Sequence, residues 1–341
     1  MRILVVKLTS MGDALHLLPA LSDFHSRFPD AVVDWMIEDS FAEIPLWHSS
    51  VDRVIPVSTR RWRSLNWQNV REFWTFLQQV RTTRYDAVID AQGLMKSAAL
   101  ARFSRLNPGG RRIGFGTDSI KEKPAVKFYN VRVEVERDQH AVERLRQLFA
   151  TGFDYPLANV RPRYSIDLSS NIKVFEPRNT ILFFAGTTWP SKHLPDQHWR
   201  DLSDLVLADG YKIEISWGNQ QEKERAEWIA QSRSHITVLP KLSLTELAKK
   251  LLGSSGAIAV DTGLGHLAAA LSVPAVSVYG ATDANLTGAV GEGQVHIQCQ
   301  YPCSPCFLKH CNRLTQQVKS PPCYSTLQAA DIWQQLYQKI V

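Results

Sequence analysis

The residues best equipped for chemistry stand in three short clusters. Met11-Gly12-Asp13-Ala14-Leu15-His16 offers one carboxylate, Asp13, placed to act as a general base. Asp261-Thr262-Gly263-Leu264-Gly265-His266 offers Thr262 as an N-cap and glycines that let backbone N–H groups approach an oxyanion. Thr187-Thr188-Trp189-Pro190-Ser191-Lys192 brings hydroxyls, exposed amides and one ammonium, a set suited to a diphosphate. Each has a bland counterpart. Asp13 also reads as an acid stabilised by the helix dipole, Lys192 as a solvated loop lysine, and His266 as a buried histidine bonded to backbone. The three loops together are more specific than any one of them.

Elements that would position these clusters follow from the hydrophobic pattern. Apolar, strand-like runs at 2–8 and 257–260 precede the first two clusters, and an apolar, helix-like stretch follows each. Strand, small-residue turn, helix is how an open α/β sheet builds a ligand site at the carboxyl end of a strand. Further strands are expected at 32–38, 53–57 and 86–91, with helices at 13–27 and 68–82. Residues 155–178 lose the rhythm and carry Pro156, Pro162 and Pro177, which marks a linker. The pattern restarts with strands at 180–185, 212–217, 236–239, 257–260 and 274–279. Helices at 197–209, 220–232, 243–252 and 265–271 alternate with them. The expected organisation is a first doubly wound domain at 1–155, a linker at 156–178, a second such domain at 179–324 and a C-terminal helix within 325–341 that crosses back onto the first domain. Two such domains facing a cleft predict a two-substrate enzyme.

Composition bounds the partners. The chain has 341 residues, 44% of them hydrophobic and 21% charged, as in an ordinary globular protein. A net charge of +6 points to acidic partners: nucleic acid, an anionic membrane face or a phosphorylated substrate. The longest apolar stretch, around Gly256 to Gly280, is interrupted by Asp261 and His266, so no bilayer span is expected. The N-terminal run carries Lys7, reaches Asp13 without a small-residue cleavage site and is not a signal peptide; a cytoplasmic protein is expected.

Two secondary constellations remain. Arg60, Arg61 and Arg63, with Lys96 and Lys121, read as a basic rim for an acceptor or, more blandly, as a solvated face. Cys303, Cys306, Cys311 and Cys323 are spaced C-x2-C-x4-C-x11-C, which is compatible with a structural zinc site; the alternative is four ordinary thiols in a surface segment.

The chain resembles the ADP-heptose:lipopolysaccharide heptosyltransferase family, glycosyltransferase family 9. The likeness is carried by Ser10-Met11-Gly12-Asp13, Arg60-Arg61-Trp62-Arg63, Asp90-Ala91-Gln92-Gly93-Leu94, Lys192-His193, Trp217-Gly218 and Asp261-Thr262-Gly263-Leu264-Gly265-His266. It implies an α/β GT-B fold, two doubly wound Rossmann-like domains. It also implies an inverting transfer of L-glycero-D-manno-heptose from ADP-heptose to the 5-hydroxyl of Kdo in the lipopolysaccharide inner core. By the same likeness Asp13 is the base. Thr187, Thr188 and Lys192 hold the diphosphate, while Asp261, Thr262, Gly263, Leu264 and His266 form the donor motif. Trp217, Glu222 and Leu242 hold the adenosine, and Arg60, Arg61 and Arg63 form the acceptor rim. A monomer is expected, acting peripherally on the anionic cytoplasmic leaflet of the inner membrane, with no nucleic-acid partner. No DxD-like motif stands in the donor loops, so no cofactor is expected for the chemistry, only the structural zinc considered above. The cysteine-bearing tail departs from the pattern, and three acceptors stay open: Kdo on lipid A, a phosphorylated single Kdo, or a first heptose.

Two other classes compete. A nucleotide-dependent dehydrogenase or epimerase would need a glycine fingerprint that is missing here. A sugar- or nucleotide-binding protein without activity would have no need of a carboxylate at Asp13.

Overall fold

The computed structural model describes residues 1–64, 66–168, 178–318 and 320–341. The chain divides into two compact units, Met1–Asp167 and Leu168–Val341. Residues 169–177, most of the second half of the expected linker, lie outside the described residues.

In chain order the first unit contains β1 (Arg2–Val6), α1 (Met11–Arg27), β2 (Val32–Glu38), α2 (Glu43–Leu46), β3 (Val51–Val57) and α3 (Trp67–Thr82). It continues with β4 (Arg84–Asp90), α4 (Met95–Phe103), β5 (Arg105–Phe115), β6 (Val131–Val133) and α5 (Ala141–Phe153). Its sheet is parallel, in the order β3-β2-β1-β4-β5-β6. β1 is buried from Ile3 to Val6, because a parallel strand covered by helices on both faces must be apolar on both. Asp34 of β2 is a charged exception, fully buried and held by Arg2, Arg53 and the Tyr85 hydroxyl at 2.7, 2.6 and 2.7 Å. An acid so placed survives burial because every neighbour donates to it. Helix α1 packs on α5 through Phe24 against Phe149 and Phe153.

The second unit contains β7 (Arg178–Phe184), α6 (Asp196–Ala208), β8 (Lys212–Ile215), α7 (Gln220–Ala230), β9 (Ile236–Val238) and α8 (Leu244–Leu252). Then come β10 (Ser254–Val260), α9 (Gly263–Ala270), β11 (Ala275–Tyr279), α10 (Ala284–Thr287), β12 (Gln294–Gln298) and α11 (Ala329–Ile340). Its parallel sheet runs β12-β11-β10-β7-β8-β9, so within the unit the first and fourth strands lie side by side, as β1 and β4 do in the first unit. Both are doubly wound sheets whose winding reverses at that central pair. Ligands bind outside the carboxyl ends of the strands at such a reversal.

The C-terminal helix, α11, belongs to the second unit, where Ile332, Trp333 and Leu336 are buried in its core and the Trp333 indole donates to Asp209 at 2.6 Å. Gly256 in β10 makes the seat: a Cβ there would stand 2.9 Å from the Pro274 carbonyl oxygen and 3.1 Å from Leu336. Hydrophobic periodicity shows that a helix has an apolar face but does not say which sheet receives it.

Candidate functional site

In the first unit the winding reverses between β1 and β4, and the loops after these strands are tied together there. The Lys7 ammonium, buried, donates to the Ala91 carbonyl at 3.0 Å, and the Gln92 side chain accepts from Leu8 N and Thr9 N at 3.0 and 3.1 Å. Asp13 is the third residue of α1. Its Oδ2 accepts from the Ser10 backbone N at 2.7 Å and from the Ser10 hydroxyl at 3.0 Å, which caps the helix. Its Oδ1 stands 3.5 Å from Lys7 Nζ, and the side chain keeps 43% of its surface exposed. Capping and availability thus coexist on one carboxylate, each using its own oxygen. Burial works to raise the Asp13 pKa, but the Lys7 charge and the Ser10 donors outweigh it and hold the carboxyl below the ordinary aspartate range.

Beside this point Lys96 donates to the Thr59 hydroxyl at 2.7 Å, and Thr59 in turn donates to the buried Glu38 carboxylate. Lys96 therefore anchors the start of the 58–63 segment, with its ammonium already engaged. Arg61 pairs with Glu72 and donates to the Ser58 hydroxyl, while Arg60, Arg63 and Lys121 are exposed. Trp62 turns inward onto Phe73 and Phe76, which fixes the arginines flanking it on the surface.

In the second unit the reversal lies between β7 and β10. Lys192 Nζ meets Asp261 Oδ2 at 2.5 Å and lies 4.6 Å above the Trp189 ring. The Thr187 hydroxyl donates to the Asp261 carbonyl at 3.0 Å, and Thr282 donates to the Asp261 carboxylate. Thr262 is the N-cap of α9 and makes no side-chain bond to the helix, while Gly263 and Leu264 form its first turn. Thr188 is exposed on the same loop as Lys192, and His266 is buried within α9. The neighbouring His193 is kept neutral: burial, with the adjacent Arg225 charge, pushes its pKa down to about 4.

Trp217 and Glu222 flank this loop. The Trp217 indole donates to the Leu239 carbonyl at 2.6 Å, and Glu222 accepts from Gly218 N at 2.7 Å. Gly186 is required for that approach, since a Cβ there would come within 2.5 Å of the Glu222 carboxyl carbon. Leu242 is placed differently. It lines a cavity of about 260 Å³ along α8, with Thr180, Glu214 and Glu246.

The tail cysteines are drawn together as the spacing anticipates, around one small cavity beside Ser191 and Gly280. Cys303, Cys306, Cys311 and Cys323 all line it. Yet among the described residues no three His, Cys, Asp or Glu side chains converge as a metal ion requires. All five cysteines are free, and the Cys323 thiol is hydrogen-bonded to Cys299, which holds the Cys323 pKa low and drives that of Cys299 up. Spacing brings thiols near one another; tetrahedral convergence is a further condition.

Lys7, Gln92, Glu38, Thr59 and Thr282 are neighbours of these clusters to which no sequence motif gives a role. Lys7 carries a signal, because a cation directly after a buried apolar strand must find an acceptor.

Two units, each a doubly wound parallel sheet, are the architecture of a glycosyltransferase of the GT-B type. The description "Glycosyltransferase family 9 (heptosyltransferase)" matches residues 73–316. The chain is 45% identical to lipopolysaccharide heptosyltransferase 1 of Pseudomonas aeruginosa, over 91% of this chain and 87% of that one. It is 42% identical to the Escherichia coli protein of the same name, over 89% and 94%. The solved structure of E. coli heptosyltransferase WaaC with ADP superposes with a TM-score of 0.87 at 37% identity, covering 99% of this chain and all of that one. The chain belongs to glycosyltransferase family 9, the heptosyltransferases, and is a glycosyltransferase. No helix among the described residues is long and apolar enough to cross a membrane.

Proposed function

We propose that the protein transfers L-glycero-D-manno-heptose from ADP-heptose to the 5-hydroxyl of Kdo on lipid A, with inversion at the anomeric carbon. The observation that carries this reading is the opposite chemistry of the two reversal points, Asp13 with an open oxygen in one unit and Lys192 beside the α9 N-terminus in the other. The acceptor hydroxyl attacks the anomeric carbon as the bond to ADP breaks, and Asp13 Oδ1 takes its proton. Lys192, the Thr187 and Thr188 hydroxyls and the amides at the start of α9 stabilise the charge growing on the diphosphate. Lys192 is already paired with Asp261, so the donor diphosphate shares the ammonium with that carboxylate. Arg60 and Arg63, with Arg61 oriented by Glu72, meet the anionic acceptor. Acting on a lipid-borne sugar, the enzyme works peripherally at the cytoplasmic leaflet.

The test is transfer from ADP-heptose to a panel of acceptors: Kdo on lipid A, a phosphorylated single Kdo, and a core already bearing one heptose. The reading expects the first to be used in preference. Preference for either of the others reassigns the acceptor, and no transfer to any of them removes the proposal. Asp13→Asn adds the mechanistic arm. Asparagine keeps an oxygen for the Ser10 donors but cannot take a proton, so turnover should fall about 10²-fold or more with ADP binding near wild type. Turnover above a tenth of wild type would leave Asp13 as a helix cap only.

A further inference from the structure

Helix α3 has two stripes, and only one of them is used by the fold. Val70, Phe73, Phe76, Leu77 and Val80 face the first unit's core, where Trp62 packs against Phe73 and Phe76. The opposite stripe runs Trp67, Arg71, Trp74, Gln78 and Arg81, positions four and three apart that share one helix face. All five are exposed, Trp67 by 82% and Trp74 by 60%. Tryptophan contributes a large apolar area, and these two leave most of theirs in water on one face. The one acid on α3, Glu72, is taken by Arg61, so the exposed stripe is cationic and carries no carboxylate. At the far end Arg81 donates to the Phe103 carbonyl at 3.4 Å, which places Phe103, itself 38% exposed, and Arg105 beside the same face.

Paired tryptophans separated by arginines, on a helix lying along the surface, match the interface of an anionic bilayer. The indoles insert at headgroup depth and the guanidiniums meet phosphates. A protein partner reading this face would need an acidic, aromatic-accepting surface; a bilayer supplies both properties without specific complementarity. We propose that the outer face of α3, with Phe103 and Arg105 at its end, is the surface on which the protein docks to an anionic phospholipid bilayer. This rests on the reading that the acceptor is lipid-borne, and it assigns the residues that bring the enzyme to it.

The experiment is sedimentation of the full-length protein with vesicles of phosphatidylethanolamine and phosphatidylglycerol, against vesicles of phosphatidylcholine alone. Three variants are compared with wild type: Trp67→Ser with Trp74→Ser, Arg71→Gln with Arg81→Gln, and all four together. Wild type should bind the anionic vesicles and release them as salt rises. The arginine pair should lose about tenfold or more in affinity, from roughly 1 kcal/mol per basic residue near the surface. The tryptophan pair should weaken binding comparably but with its salt dependence intact. Transfer to acceptor embedded in vesicles should fall in step, whereas transfer to a deacylated, soluble acceptor should stay at the wild-type rate. Equal wild-type binding to both kinds of vesicle, or vesicle binding unchanged in the fourfold variant, overturns the proposal. So does a wild-type dimer that the tryptophan pair dissolves, because the face then belongs to a second copy. If vesicles bind as expected but no Kdo acceptor is used, the docking surface stands and the acceptor assignment falls.

Discussion

Replacing Lys7 by methionine isolates the interaction that sets the basicity of Asp13. Methionine has nearly the length of lysine and suits the apolar surroundings of β1, but it removes the ammonium 3.5 Å from Asp13 Oδ1. At that separation the attraction is about 1.2 kcal/mol in bulk water and about 4.7 kcal/mol at an effective dielectric constant of 20. Asp13 is nearly half exposed, so solvent screening keeps the value toward the lower figure. One pKa unit corresponds to about 1.4 kcal/mol, and the Asp13 pKa should therefore rise by about 1–2 units. Because the proposed base must be ionised to act, the acidic limb of the kcat/KM profile should move to higher pH by the same interval. Lys7→Arg, which keeps the charge, should leave the limb close to its wild-type position. Lys7→Met also strips the Ala91 carbonyl of a buried donor, at a cost of about 1–3 kcal/mol in stability, so the profiles are recorded well below the melting temperature. An acidic limb that does not move in folded Lys7→Met would refute either the coupling or the role of Asp13. Measuring the carboxyl pKa directly by NMR tells these apart.

Lys192→Ala should weaken ADP and donor binding together and lower turnover as well, since charge on the diphosphate grows in the transition state; unchanged ADP affinity by calorimetry would place the lysine outside the donor site. Charge reversal of Arg60, Arg61 and Arg63 to glutamate should raise the apparent KM for the acceptor with ADP binding unaltered, and an equal effect on ADP would dissociate these residues from the acceptor. His48 makes a pH prediction. Burial, with a smaller effect of His25, lowers its pKa to about 4, and its Nδ1 accepts from Ser50 N at 3.3 Å. The unfolded chain, with a histidine pKa near 6.5, takes up a proton that the folded chain refuses, so stability is complete above that value and is lost as pH falls toward 4. The loss should be at most about 3 kcal/mol by chemical denaturation, and it should shrink in His48→Gln. A slope identical in the variant would remove His48 as its source.

The parts of the fold legible in the sequence were those whose pattern is local. The largely apolar run at 32–38 is β2, and the strand, turn and helix around Asp13 and Asp261 locate β1 with α1 and β10 with α9. β5 was not read, because Arg105–Phe115 holds Asn107-Pro108-Gly109-Gly110 and three arginines; it is a strand by virtue of pairing with β4, which no local pattern records. β12 is an edge strand, only half-buried, and lacks the apolar run that marked its neighbours. The same division holds for the site. Asp13, Lys192 and Asp261 announce themselves by standing directly after strands. Gln92 and Thr282 act across the sheet, on residues 83 and 21 positions away in sequence, and proximity of that kind arises only once the strands are ordered.

A helix start at a reversal point favours an anion on general grounds, and the structure separates the two. Just before α1 the amides are already answered from within the chain: Leu8 N and Thr9 N by Gln92, Ser10 N by Asp13. That terminus carries its own resident anion, and a substrate phosphate arriving there would meet a carboxylate. At the start of α9 the cap residue Thr262 makes no such bond, and the nearest cation is Lys192. Two copies of one topology thus differ by side chains alone. In the proposed reaction the half with its own resident anion accepts the proton, and the other is left to receive the nucleotide.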